Sequence, residues 1–275
     1  MIENISCRAG WPALAKGIMM IFFACAASTS FAARPLEIDD ADPLEPDKFK
    51  IEAGVLHDRY PAYAEWEWPI GLGYGIVHGL EANLGLGGQF EQLTETITKE
   101  DNSIKKNGLG DLTLNVKWQF LHESTWMPRQ AIVPSIKFPT SNRNNWLDGK
   151  EIDYDIMWIA SKTLTEKMGA HLNAGYSFIG KPPGKEAGNL LHYGVALDYR
   201  IIAPLQWVGE VYSEKELLAG MDSNIMFNTG LRWNPFGQLV FDAAAGSRLS
   251  GSGRDFTATA GLTWTFGIAD TKERK

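Results

Sequence analysis

Three observations predict an all-β fold, a transmembrane antiparallel up-and-down β-barrel of about twelve strands. Apolar and polar residues alternate with a period of two along most of the chain. The runs suit tilted strands of roughly 9 to 11 residues, the length that crosses the hydrocarbon of a bilayer. The connections between runs alternate between long and short. The last run, Asp255 to Gly267, is the cleanest: Phe256, Ala258, Ala260, Leu262, Trp264 and Phe266 share one parity, and Thr257, Thr259, Gly261, Thr263 and Thr265 share the other. Successive side chains of a strand point to opposite faces, whereas a helix would smear such a pattern. Trp264 and Phe266 stand where an interfacial girdle would lie, and a near-terminal Phe is a signal that barrel-assembly machinery would read. A secreted soluble sandwich or barrel is the competing reading.

The earlier runs follow the same rule. Phe49, Ile51, Ala53 and Val55 oppose Lys50 and Glu52; Trp66, Trp68, Ile70, Leu72 and Tyr74 oppose Glu65, Glu67, Gly71 and Gly73. Leu80, Ala82, Leu84 and Leu86 oppose Glu81, Asn83, Gly85 and Gly87; Leu112, Leu114, Val116, Trp118 and Phe120 oppose Asp111, Thr113, Asn115, Lys117 and Gln119. Ile132, Ile136 and Phe138 face away from Ser135 and Lys137, and Ile152, Tyr154, Ile156 and Trp158 from Glu151, Asp153 and Asp155. Met168 to Phe178 sets Leu172, Ala174 and Tyr176 against His171, Asn173 and Ser177, and Leu191 to Tyr199 sets Tyr193, Val195 and Leu197 against His192, Asp198 and Arg200. The run around Leu205, Trp207 and Val211 is the least regular. Ile225, Phe227, Leu231 and Trp233 oppose Asn224, Asn228 and Arg232, and Leu239, Phe241, Ala243 and Ala245 oppose Gln238 and Asp242.

The long connections, 91–110, 140–150, 180–189, 213–223 and 246–254, alternate with short ones at 77–79, 163–167, 201–204 and 234–237. The exceptions are a short first loop near Asp58 to Ala62 and a longer turn at His122 to Pro128. Outer-membrane barrels have short periplasmic turns and longer outer loops, so both termini are assigned to the periplasmic side. A soluble meander has no reason to sort its loops in this way.

Residues 1–32 read as a secretory signal peptide, with Arg8 and Lys16 before the apolar GIMMIFFACAA and a cleavage site after Ala32. Phe22, Phe23 and Ala24 make a poor lipobox for Cys25. Cys7 and Cys25 both lie in this segment, which leaves the mature chain without disulfides or thiolate chemistry. Residues 33–48 are assigned to a periplasmic N-terminal segment, because RPLEIDDADPLEPD is acidic, proline-bearing and without a period; it is either laid along something else or mobile. The barrel is assigned to 49–267 and a periplasmic tail to 268–275. The net charge of -7 with no basic cluster argues against nucleic acid as a partner.

A charge facing lipid at mid-depth costs about 2–4 kcal/mol for Arg or Lys, so the polar parity must face the lumen. The expected lumen lining comprises Glu81, Asp111, Lys117, Lys137, Asp153, Asp155, His171, Asn173, Asp198, Arg200, Glu210, Arg232 and Asp242, with Glu65 and Glu67 beside them. Carboxylates outnumber cations, which points either to a cation-favouring pore or to a lumen whose charges pair across strands and hold it rigid. Asp153 and Asp155 share a face and could bind a cation, but without further ligands they read as solvated, and no metal or cofactor is assigned. His171 and Asn173, with Ser135, Ser161 or Ser177, raise a lipase-like option. It is set aside because His171 points inward and no G-x-S-x-G is present. His57, His78, His122 and His192 are scattered without metal spacing. The ten Trp, Trp66 and Trp68 among them, read as girdle residues rather than an aromatic ligand pocket.

Several stretches resemble the bacterial outer-membrane family named for the phenol meta-degradation pathway: RPLEIDDA at 34–41, YGIVHGLEANLGL at 74–86, GLGDLTLNVKWQF at 108–120, KFPT at 137–140, SK at 161–162, HLNAGY at 171–176 and GLTWTF at 261–266. Ile38 stands where that family has Thr, and Ser141 follows KFPT where Gly is usual. The resemblance implies uptake of aromatic or other poorly water-soluble compounds. The sequence reading is therefore a passive channel in the outer membrane of a Gram-negative bacterium, in contact with lipid and small solutes. A structural or adhesive barrel with a plugged lumen is the alternative; the oligomeric state is left open, as is whether the N-terminal segment blocks the pore.

Overall fold

The computed structural model describes residues 34–61, 63–93, 105–141, 151–181, 188–218, 220, 223–251 and 253–267. Residues 1–33 and 268–275, on which the predicted signal peptide and C-terminal tail fall, and 62, 94–104, 142–150, 182–187, 219, 221–222 and 252 lie outside the described residues. The strands are β1 (Lys48–Arg59), β2 (Tyr63–Val77), β3 (Leu80–Leu93), β4 (Lys105–Leu109), β5 (Leu112–Leu121), β6 (Arg129–Phe138) and β7 (Asp153–Thr165). They continue as β8 (Met168–Phe178), β9 (Leu190–Ile202), β10 (Leu205–Glu216), β11 (Asn224–Trp233), β12 (Leu239–Ser250) and β13 (Phe256–Gly267). Each pairs antiparallel with its neighbour, and β1 pairs with β13 from Lys48↔Gly267 to Arg59↔Phe256, which closes the sheet. Closure is what lets a sheet sit in hydrocarbon, where an open edge would leave backbone groups without partners.

Thirteen segments make a twelve-stranded barrel because β4 and β5 form one wall strand. The outer half of β3 pairs with β4 (Gly88↔Leu109) and its inner half with β5 (Gly85↔Thr113). Between these pairs lie two residues on β3 and three on the facing strand, so the register slips by one. The run at 111–120, read as one uninterrupted strand, therefore begins past a break at Gly110–Asp111.

Parity sorts the two faces. Trp68, Val116, Trp118, Tyr154, Val195, Leu231 and Trp264 are exposed on the outer wall, whereas Glu81, Lys117, Asn173, Glu210, Arg232 and Asp242 are buried inside. For a soluble protein so much exposed apolar surface would be a liability; in a bilayer it is the solvated face. At the short-turn rim Phe49 packs on Tyr74 (4.8 Å between ring centroids) and Phe266 (5.6 Å), and Phe266 on Trp264 (4.6 Å), forming an aromatic belt. Gly79 and Gly237 adopt positive φ (80° and 75°) in the turns of that rim, a backbone conformation strained for other residues.

The assignment of 33–48 to the periplasm is corrected. Residues 34–44 lie inside the barrel, and the chain returns to the rim through Asp47, whose N–H donates to Gly75 O at 2.9 Å. The lumen is also not uniformly polar. Ile38 packs with Ala196, Tyr212 and Met226, and Ala41 packs with Ala131, Val133 and Ile159. These inward positions are apolar because they face apolar residues of the segment rather than water, and each contact removes area from water at about 25 cal/mol per Å².

Candidate functional site: the lumen and its resident segment

The segment has no secondary structure of its own between Arg34 and Asp47, so its backbone groups need partners from the wall. The barrel supplies them as side chains. Glu210 of β10 accepts from Glu37 N–H (3.0 Å) and Ile38 N–H (2.8 Å), and is held by Asn228 Nδ2 at 2.6 Å. Glu81 of β3 accepts from Leu44 N–H at 2.7 Å while pairing with Lys50 at 3.1 Å. Ser161 of β7 accepts from Ala41 N–H at 2.9 Å. Turned with its oxygen toward the segment, the Asn173 amide accepts from Asp39 N–H (2.8 Å) and donates to Asp39 O (2.9 Å).

The cations address its acceptors. Lys117 pairs with Asp39 at 2.6 Å and donates to Asp40 O at 3.0 Å; Gln119 donates to Ala41 O at 3.1 Å. Arg129 binds Asp42 at 2.8 Å, and Arg232 Nε donates to Arg34 O at 2.6 Å. Arg34 reaches the opposite wall, donating to Thr259 (3.0 Å) and Ala260 O (3.2 Å) and lying 3.5 Å from Asp242. Burial disfavours the Asp39 anion, but the Lys117 ammonium outweighs that and holds the carboxyl below its usual range. At Asp42, burial and the neighbouring Asp40 charge outweigh Arg129 and push the carboxyl up to about 6. At the outer end Arg254, on the β12–β13 loop, joins Asp58, Tyr212 (3.0 Å) and Glu37 (3.3 Å).

The predicted lining residues fall into three groups. Glu81, Lys117, Asn173, Glu210, Arg232 and Asp242 converge on the segment or on Arg34. Others pair within the wall: Lys137 with Asp153 (2.7 Å), Asp155 with His192 and with Ser177 Oγ, and Asp111 with Ser141 N–H (2.9 Å). Asp153 and Asp155 thus find partners in the wall instead of forming a cation site, and no metal-binding cluster is present among the described residues. Arg200 is exposed, near the short-turn rim. His171 lies between Ser161, which contacts its Nδ1 at 2.9 Å, and Asp198, 2.8 Å from its Nε2, with Gln206 fixing Asp198 at 2.6 Å.

That row has the composition of a hydrolytic triad, but Ser161 is fully buried and an oxygen lone pair is taken up by Ala41 N–H. Ser161 serves as a hydrogen-bonded anchor, its oxygen accepting from Ala41 N–H while it contacts the His171 ring that Asp198 holds from the other side. Sequence reasoning left Arg34, Gln119, Arg129, Arg254 and Tyr212 out of the lining set, although parity puts Gln119 on the polar face. A signal was present for two of them, since Arg34 opens RPLEIDDA and Gln119 lies in GLGDLTLNVKWQF.

Beside the segment the lumen is not filled. A cavity of about 390 Å³ lies against β1, β2, β3 and β5, with Glu52, Glu67, Pro69, Gly71 and Gly85 in its lining. A second, of about 190 Å³, lies between the segment and β1, β2, β12 and β13. Arg34, Glu67 and Pro69 line both.

A closed twelve-stranded wall, apolar outside and charged inside, with its own N-terminal segment folded into the lumen, defines an outer-membrane β-barrel protein. The chain belongs to the family described as "Putative MetA-pathway of phenol degradation", whose pattern matches residues 34–266. No curated protein matches the sequence. The fold is similar to the crystal structure of the COG4313 outer membrane channel from Pseudomonas putida F1, at 14% identity and a TM-score of 0.66, covering 84% of this chain and 100% of that one. It is similar to the NanC porin (9% identity, TM-score 0.54, 78% and 98% covered) and to the KdgM porin (12% identity, TM-score 0.50, 78% and 99% covered).

Proposed function

We propose that the chain is a passive outer-membrane channel for small molecules, narrowed by residues 34–44. The observation that carries this is the pair of cavities meeting at Arg34, Glu67 and Pro69, which leaves space beside a segment held by non-covalent bonds. A purely structural lumen would fill that space with side chains. The family description supports aromatic or poorly water-soluble solutes, and the porin folds support a water-filled route for polar ones. The chain is read as non-catalytic, exported by its N-terminal signal, inserted by barrel-assembly machinery and solvated by lipid. Charge selectivity is assigned to the lining residues named above.

The second reading, a plugged barrel with a structural or adhesive role, is favoured by the many bonds to the segment. Single-channel recording in planar bilayers separates the two. Defined conductance from the purified folded barrel is expected, rising when residues 34–44 are deleted; silence from both proteins would refute the channel.

A further inference from the structure

The larger cavity is bounded on its wall side by backbone. Gly71 and Gly85 face each other across β2 and β3, with Glu52 paired to Gly71 and Thr113 to Gly85. Glycine weakens a strand interior, so its presence calls for a local reason. Elsewhere in this barrel the reason is contact. A Cβ on Gly75 would stand 2.0 Å from Glu45 O, and one on Gly54 or Gly261 would collide with the Arg34 guanidinium.

Among the described residues, a Cβ at Gly85 would meet only Thr113, at 3.7 Å and beyond. At Gly71 it would meet, again among the described residues, only the Glu52 side chain, its carboxylate end at 3.2 Å. Neither the wall nor the segment requires glycine at these positions, and what a side chain there would displace is the contents of the cavity.

The volume of about 390 Å³ lies within the range of small-ligand pockets, roughly 300–1,000 Å³. Its chemistry is one-sided. Glu52, which pairs with Lys50 at 3.8 Å, lines it with Glu67 and with Asp111, which accepts from Ser141 N–H at 2.9 Å; its two cations also meet carboxylates outside it, Arg34 with Asp242 at 3.5 Å and Lys137 with Asp153 at 2.7 Å, so carboxylates outnumber cations around the cavity. A flat molecule can lie on the bare Gly71–Gly85 backbone and direct hydrogen-bond donors or positive charge to Glu52 and Glu67. A carboxylate placed there would face like charge.

We propose that this cavity is the solute subsite of the channel, floored by Gly71 and Gly85 and taking flat neutral or cationic molecules in preference to anions. This rests on the channel reading above.

The test is current block in planar bilayers, with benzamidinium and benzoate as flat probes of opposite charge. In the wild-type barrel benzamidinium reduces the potassium current at concentrations where benzoate does not. Gly85→Val and Gly71→Val lower the unblocked current and raise the half-blocking benzamidinium concentration by about tenfold or more. Gly85→Ala, a smaller intrusion, gives an intermediate shift, and Glu67→Gln weakens the block. Heat-modifiable gel migration confirms that each variant is folded. A conducting wild type whose block is the same in all the glycine variants, or in which benzoate blocks as well as benzamidinium, overturns the subsite and leaves the channel standing. A wild type that never conducts overturns both.

Discussion

Lys117→Met probes the hold on the N-terminal segment most directly. Its ammonium is buried (side chain 5% exposed), pairs with Asp39 (21% exposed) at 2.6 Å and donates to Asp40 O at 3.0 Å. Removing one partner of a buried ion pair costs about 3–5 kcal/mol, because the other charge is left without compensation. The wall strands keep their ladders, so the penalty falls on the docked segment, and its docking equilibrium shifts by a factor of roughly 10² to 4 × 10³. Thiol labelling reads that factor in a barrel produced without residues 1–32, which carries no cysteine of its own. With Ile38→Cys as the reporter, a side chain 6% exposed when docked, the labelling rate follows the undocked population. Lys117→Met is expected to raise that rate by the same factor. Adding Asp39→Asn returns much of it, since losing both partners removes the stranded charge. A Lys117→Met barrel that migrates as folded and labels within a few-fold of its parent would refute the reasoning.

Three further outcomes are expected. Ser161→Ala removes the acceptor for Ala41 N–H, costing about 1–3 kcal/mol, and raises the same labelling rate by roughly 5- to 150-fold; a fluorophosphonate probe leaves Ser161 of the wild type unmodified, and covalent labelling there would contradict the anchoring role. Asp42 has its carboxyl raised to about 6, so docking takes up a proton. The resulting stabilisation is present below the ordinary carboxyl value of 3.8 and is lost as pH rises through about 6. Labelling is therefore slower at pH 5 than at pH 7.5, and comparison with Asp42→Asn, which lacks this component, isolates it. Val116→Arg places a charge on the lipid face and costs about 2–4 kcal/mol, measured as a lower urea midpoint for unfolding from lipid vesicles; an unchanged midpoint would argue against that face meeting lipid.

The strands were legible because each is specified locally. One side chain in two must be apolar to meet lipid, and that constraint marks every wall strand without reference to its neighbours. Irregularity was harder to read. The break at Gly110–Asp111 moves the outward set from odd positions in β4, where Leu109 is exposed, to even ones in β5, so β4 fell inside the stretch 91–110 that reads as a connection. On β6 and β7, Ala131, Val133 and Ile159 share the inward parity of Ser135, Lys137, Asp153 and Asp155, but nothing local says that Ala41 of the segment covers them. The lining set was found by parity, but its subdivision was not. Lys117 and Asp153 have the same signature in sequence, yet one grips Asp39 and the other pairs with Lys137 within the wall.

What the sequence determined by itself is the closed barrel: period, strand length and loop parity together leave a bilayer as the solvent for the apolar face. The position of residues 34–44 was decided only by tertiary structure. A segment without period carries no address of its own, and its place depends on donors and acceptors far along the chain, such as Glu81, Ser161 and Glu210, that share one lumen only after the sheet has closed on itself. The same closure separates glycines that make room for the segment from the pair at 71 and 85 that leave room for something else.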